Sequence, residues 1–466
     1  MRLRTILGSV ALLSLSALSP LATAQEFPPP PVETEPASFS IMGTVKNAAG
    51  PLAGASVELI QAQDSGPPRA LLGTTSDANG EYVFIGLPFT IRRLTIRVRH
   101  WGFEIENRPV EIPGRGEIRV TIDVNLRPHK AVVEAGAPTF ITQKVFYATD
   151  RKATGAADPL KAFGTVQSKS LSYGACTVTV PVSEATVHKD EILSVRVEFI
   201  DEISLSTRLL KVEPLSHDAL LAELTTQAGR SRDNSLLVFV HGYRVTFEEA
   251  AQRTAELAVG LNLDGPALFY DWTSQGTLRG YPTDEKNVDL TFDLLQTFLN
   301  DLSTKTGVKV FHIVAHSMGN RAVTLALRDL AKAGNTAVAS HLGAYVAAAA
   351  DVDADKFAND SGYFEKLSRR VTLYGSSNDQ ALMISKRIRS GYPRAGDGGK
   401  NILVVPGLDT VDASAARTDF MGHSYFIEQR DILEDIRAAL RGTAPPQRPK
   451  LQPSPPAKPG YWIYKP

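Results

Sequence analysis

The stretch Val308-Lys309-Val310-Phe311-His312-Ile313-Val314-Ala315-His316-Ser317-Met318-Gly319-Asn320 runs an apolar β-type segment straight into the pattern small-x-Ser-x-Gly. Ala322, Leu325, Ala326 and Leu330 follow at helical spacing. A serine between a strand and a helix stands at a turn so tight that larger side chains beside it collide with neighbouring backbone. The first N–H groups of the helix then point at its hydroxyl. By composition alone the pattern recurs on the order of once in every few chains of this length, so context decides. Ser170-Leu171-Ser172-Tyr173-Gly174 also fits it, but follows a polar stretch and precedes the strand-like Cys176–Val180. It has no strand–turn–helix context and is set aside.

Outward from Ser317, short apolar runs at Ser235–Val240, Leu342–Ala348, Val371–Tyr374 and Ile402–Val405 are expected strands. Amphipathic segments separate them. Thr246 and Glu249 form a capping box ahead of Phe247, Ala250, Thr254, Leu257 and Leu261, and Val288, Phe292, Leu295, Leu299 and Leu302 make a second stripe. Both stripes read as core faces. Repeated strand–helix units over 145–442 predict an α/β domain with a doubly wound, mostly parallel sheet.

Before it lies a different pattern. Leu94, Ile96 and Val98 alternate with Thr95, Arg97 and Arg99, and Ile118 to Leu126 alternate likewise, with turns at Gly50-Pro51 and Asn79-Gly80. This predicts a small all-β sandwich over 39–127 and a linker over 128–144. Arg2 and Arg4, the apolar Ile6–Leu18 and the small-residue site ending at Ala24 predict a secretory signal peptide over 1–24, with an uncleaved anchor as the alternative. A proline-rich linker (25–38) follows, and a proline-rich tail (443–466), expected to be disordered, ends the chain. The expected protein is exported, periplasmic or secreted, with no transmembrane segment in the mature chain.

The 466 residues suggest two or three domains, and 43% apolar composition supports a packed core. Fifty basic residues balance fifty acidic ones, which argues against a nucleic-acid partner. The single Cys176 excludes an intrachain disulfide and Cys-rich metal sites.

The elbow around Ser317 resembles that of α/β-hydrolases, with Ala315 for the usual first glycine. In that superfamily the chain order is Ser, acid, His. Only His341 and His423 follow Ser317, and His341 opens a strand, at the wrong end of the sheet. His423, in Gly422-His-Ser-Tyr-Phe426, is therefore the expected base. Asp379, in the loop after Val371–Tyr374, is the expected acid, with Asp351 and Asp353 as competitors; Asp409 and Asp412 are further from the expected place. The oxyanion donors expected are the amides of Met318 and Tyr243, Gly242 permitting close approach in His241-Gly242-Tyr243. Gly242 and Trp272 are the expected substrate contacts, although Trp272 reads equally as packing.

Together Val145–Arg151, Phe239–Tyr243, Ala315–Gly319, Ser377–Asp379 and Gly422–Phe426 resemble a little-characterised bacterial branch of the superfamily described as esterase/lipase-like. Gly43–Val45, Pro51–Val57 and Asp77–Phe84 resemble the carboxypeptidase regulatory-like domain, a prealbumin-type sandwich. Asp77 and Asn79 read as a hairpin turn rather than half a calcium loop. The resemblance implies two-step cleavage of a carboxylic ester or related acyl bond, without metal or organic cofactor. The substrate expected is a small molecule or a surface-displayed acyl group. The alternatives are a serine peptidase and an exported non-catalytic binding protein whose β module docks to a cell-envelope partner.

Overall fold

The computed structural model describes residues 38–48, 50–52, 55–62, 69–77, 79–99, 106–112, 119–127, 139–182, 207–277, 280–377, 392–416, 430–456 and 458–466. The leader, its cleavage site and nearly all of the first linker lie outside these residues, as do Asp379 and His423.

The first module is all-β. Its strands are β1 (Ser38–Asn47), β2 (Gly50–Pro51), β3 (Ser56–Gln61), β4 (Arg69–Thr75), β5 (Glu81–Pro88), β6 (Leu94–Arg99), β7 (Glu106–Val110), β8 (Arg119–Thr121) and β9 (Val124–Asn125). One sheet has the order β2-β1-β5, with β8 and β9 also pairing β1; the other has the order β4-β3-β6-β7. The period of two does what it predicts. Leu94, Ile96 and Val98 are buried and meet Phe39, Ile41, Val45, Tyr82 and Phe84 of the facing sheet in one core. The Asp77 carboxylate accepts the N–H groups of Asn79 and Glu81, at 2.9 and 2.8 Å, so it closes the hairpin turn.

The second module is built on an eleven-stranded sheet. In chain order its elements are β10 (Thr139–Ala153), β11 (Phe163–Val182), β12 (Arg208–Leu215), α1 (His217–Ala228), β13 (Ser235–Val240), α2 (Phe247–Gly260), β14 (Ala267–Asp271), α3 (Tyr281–Lys305), β15 (Val310–His316), α4 (Gly319–Lys332) and α5 (Thr336–His341). They continue with β16 (Leu342–Ala348), α6 (Ala354–Leu367), β17 (Arg370–Gly375), β18 (Asp409–Asp412), α7 (Arg430–Leu440), β19 (Leu451–Pro453) and β20 (Trp462–Tyr464). The sheet order is β12-β11-β10-β14-β13-β15-β16-β17-β18-β20-β19. Every pairing from β10–β14 through β18–β20 is parallel, and the two ends are antiparallel.

Central strands buried on both faces explain the continuous apolar runs. Leu236, Val238 and Val240 of β13 face one core with α3 and α4, while Leu237 and Phe239 face the other with α2 and α7. The expected capping box closes in both directions: Thr246 Oγ1 accepts the Glu249 N–H at 3.2 Å, and Glu249 accepts the Thr246 N–H at 2.8 Å. From β13 the chain winds first to β14 on one side and then to β15 on the other. The β13–β15 crevice is therefore a topological switch point, where open α/β sheets take their ligands at the carboxyl ends of the strands.

Three expectations are corrected. The strand expected at Ile402–Val405 is loop within the β17–β18 connection, with Ile402 and Val405 buried, and the next strand is Asp409–Asp412. The tail is not disordered where described: β20 pairs with β18, and Arg448 is buried against Asp435, Asp409 and Tyr374. β10 starts at Thr139, inside the stretch expected to be linker, because it pairs along most of its length with β11. Ser170 and Ser172 lie within β11, so the decoy serines sit in an antiparallel strand with no elbow. Among the described residues no helix is long and apolar enough to cross a membrane.

Candidate active site

Ser317 follows β15 directly and has φ +51°, the left-handed region, which costs an L-residue roughly 1–2 kcal/mol. The neighbours hold it there. Its N–H donates to Ala348 O at 3.0 Å, and its carbonyl accepts the N–H groups of Asn320 and Asp351, both at 3.1 Å. Gly319 is required by space: a Cβ there would lie 2.3 Å from His241 O and 2.8 Å from Val240 O. Ala315 is the last but one residue of β15, paired between Val240 and Ala347, so an alanine serves in place of the glycine. Ser317 is buried to 3% exposure. The Met318 N–H, just ahead of α4, has no hydrogen-bond acceptor among the described residues.

Across the crevice, the loop 241–245 leaves β13. Gly242 packs against the nucleophile turn so closely that a Cβ on it would be 2.7 Å from Ser317 Cβ. The loop is fixed on both sides of Tyr243. Trp272 Nε1 donates to His241 O at 2.7 Å, the Arg244 N–H to Asp284 at 3.1 Å, the Val245 N–H to Ser274 Oγ at 3.1 Å, and Arg151 Nη2 to Val245 O at 2.8 Å. Beneath it, Asp271 accepts from Arg151 Nε, Thr149 Oγ1 and His241 Nε2, at 2.9, 2.5 and 2.9 Å. Burial alone would push the Asp271 carboxyl up; the Arg151 guanidinium and the His241 hydrogen bond outweigh it and hold it below the ordinary carboxylate range. Asp284 goes the other way: burial raises it, only partly offset by donors from Ser274, Gln275 and Arg244.

Trp272 is fully buried and stacked on His241, ring centroids 5.1 Å apart. It supports the loop from behind, which corrects its assignment as a substrate contact. His241 is likewise a structural residue. His341 ends α5, ahead of the amino end of β16, opposite the end that carries Ser317.

The competing acids are engaged elsewhere. Asp351 accepts from Tyr281 Oη at 2.8 Å and Arg321 Nη2 at 3.2 Å, and pairs with Arg394 Nε at 3.3 Å. Asp353 caps α6 through the Lys356 N–H. Asp409 pairs with Arg370 and Arg448, and Asp412 accepts from Gly399 and Ser414. The strand that leads to Asp379, β17, lies two strands from β15, and β18, which precedes His423 in the chain, lies next to it. Among the described residues no group of three or more His, Cys, Asp or Glu side chains is placed to hold a metal.

Sequence reading gave no individual role to Arg151, Asp271, Asp284, Tyr281 or Asn320. The available signal was a charge at the end of an apolar run, Asp150-Arg151 after Val145–Ala148 and Asp271 after Ala267–Tyr270.

Residues 216–441 match the family described as an alpha/beta hydrolase of unknown function, DUF900, and residues 40–127 match the carboxypeptidase regulatory-like domain. No curated protein matches the chain. Similar solved structures include an arylesterase, 10% identical over 67% of this chain and 88% of that one with a TM-score of 0.28. Two fungal esterases from Rhizomucor miehei are represented by a match 12% identical over 66% of this chain and 84% of that one, also with a TM-score of 0.28. The chain thus carries an alpha/beta-hydrolase domain of the DUF900 family behind a carboxypeptidase regulatory-like domain.

Proposed function

We propose that the protein is an exported serine hydrolase that cleaves carboxylic esters through Ser317, His423 and Asp379. The observation that carries the reading is the left-handed Ser317 at the switch point, with Gly242 packed against it and the Met318 N–H at the start of α4. His423 takes the hydroxyl proton as Ser317 Oγ attacks the ester carbonyl, and Asp379 orients the imidazole and stabilises its charged form. The Met318 and Tyr243 amides bind the tetrahedral oxyanion. The alkoxide leaves with the proton from His423, and water activated by the same ring then releases the acid from the acyl-enzyme. The engagement of Asp351, Asp353, Asp409 and Asp412 in other bonds supports Asp379 as the acid.

The connection between β16 and β17 holds only α6, which supports an open cleft suited to bulky or surface-displayed acyl groups. The signal peptide ending near Ala24 and the β module in front fit a protein that works in the cell envelope or beyond it. A fluorophosphonate probe tests the chemistry: the wild-type chain is expected to label and Ser317→Ala to be silent and without turnover on p-nitrophenyl acetate. A folded wild type that neither labels nor turns over refutes the reading.

A further inference from the structure

The Asn320 side chain, fully buried three residues beyond Ser317, gathers the backbone of the elbow around one amide. Its Nδ2 lies 3.2 Å from Ala315 O, 3.1 Å from Ser317 O and 3.3 Å from Ala348 O. These carbonyls belong to the end of β15, the nucleophile and the end of β16. The amide cannot turn over to present its oxygen, because Tyr345 Oη donates to Oδ1 at 2.8 Å. Burial pushes the Tyr345 hydroxyl well above its ordinary value, so it stays a donor.

The Ser317 carbonyl therefore receives three donors, the N–H groups of Asn320 and Asp351 and the Asn320 amide. That carbonyl and the Met318 N–H belong to one planar trans peptide group and point in opposite directions. Holding the oxygen inward turns the N–H outward, away from the anchoring side chain. We infer that Asn320 is a positioning residue that aims the Met318 N–H at the developing oxyanion. The inference rests on the serine-hydrolase reading above, and it goes beyond it in naming a side chain that touches no substrate yet sets the geometry of transition-state binding.

Asn320→Asp is the informative variant because it keeps the shape and changes one atom. As a carboxylate it faces three carbonyl oxygens with no hydrogen to offer, and the peptide plane is pushed round. Once protonated it again donates to a carbonyl while accepting from Tyr345. The full chain is assayed with p-nitrophenyl acetate from pH 5.5 to 8, with circular dichroism to establish folding. At pH 8 the variant is expected to lose about 100-fold in kcat with KM within about threefold, since the donor acts on the transition state. The ratio of variant to wild-type kcat is expected to climb at least tenfold on going to pH 5.5. A folded variant with wild-type kcat at pH 8, or one whose deficit is the same at every pH, overturns the inference. If the variant does not fold at pH 8, Tyr345→Phe decides, by freeing the amide to rotate: a several-fold fall in kcat at unchanged KM supports the inference and an unchanged kcat overturns it. A wild type that neither labels with fluorophosphonate nor hydrolyses the ester brings down the parent reading and this inference with it. A labelled wild type with an indifferent variant brings down only the role of Asn320.

Discussion

Gly242→Ala tests whether the two walls of the β13–β15 crevice are as rigid as their hydrogen bonds imply. Gly242 has no left-handed φ, so only the added methyl is at issue. That methyl would lie 2.7 Å from Ser317 Cβ, 3.0 Å from His316 Nδ1 and 3.2 Å from His316 O. Carbon atoms settle at about 3.5–4.0 Å, so something must yield by roughly 0.8 Å or more. The loop is held through Trp272, Asp284, Ser274 and Arg151, and the elbow through the Ser317 carbonyl, so neither wall yields freely. Overpacking of this kind costs about 1–3 kcal/mol, which corresponds to a fall of about 2–8 °C in Tm. Catalysis should lose more, because a shift near 1 Å between nucleophile and oxyanion donor costs about 100-fold. The expected result is kcat on p-nitrophenyl acetate reduced about 30- to 100-fold, KM little changed, and a parallel loss in the rate of fluorophosphonate labelling. A folded Gly242→Ala protein with wild-type kcat would show that the crevice is not where the reaction takes place.

Two further outcomes concern stability. His312, partly buried, accepts the Ala344 N–H at Nδ1, and burial, with a smaller contribution from Arg369 against a pull from Asp233, pushes its pKa down to about 4. A depressed value means the unfolded chain binds the proton first, so stability present above pH 6.5 is lost as pH falls toward 4. The loss by pH 5 is about 1–2 kcal/mol after allowing for partial solvent contact, and urea melts of His312→Asn, which keeps an acceptor but cannot titrate, should show a flatter curve between pH 8 and 5 than wild type. Removing Arg448 as Arg448→Ala strands the buried Asp435 carboxylate, which Arg448 contacts at 2.8 and 2.7 Å; a loss of about 3–5 kcal/mol in chemical denaturation is expected, and a change under 1 kcal/mol would refute the account.

The elbow was legible because its signal is local: an apolar strand, small residues where backbone crowds, and a helix at once afterwards. The central strands were legible because burial on both faces leaves nothing but apolar side chains, as in Leu342–Ala348. The same rule misled at Ile402–Val405, where an apolar run fills a loop wall, while the true strand Asp409–Asp412 is short and acidic at both ends. The tail was misjudged because its prolines suggest an unfolded chain, and nothing local says that Arg448 finds Asp435 or that Trp462–Tyr464 completes the sheet. Trp272 shows the limit for sites: its burial against His241 depends on a contact across thirty-one residues. Arg151 and Asp271 meet across 120 positions, beyond the reach of any periodicity.

The stretch that matches the hydrolase family is narrower than the folding unit. A fragment trimmed to 216–441 would strip β10, β11 and β12 from one flank and β19 and β20 from the other. Both β14 and β18 would then offer bare backbone to any neighbouring polypeptide. Inside, Asp271 would be an anion without its guanidinium, directly under the loop that faces Ser317. Laboratories that express this region by its homology limits should therefore collect inclusion bodies, whereas a cut that keeps 139–464 retains every strand of the sheet.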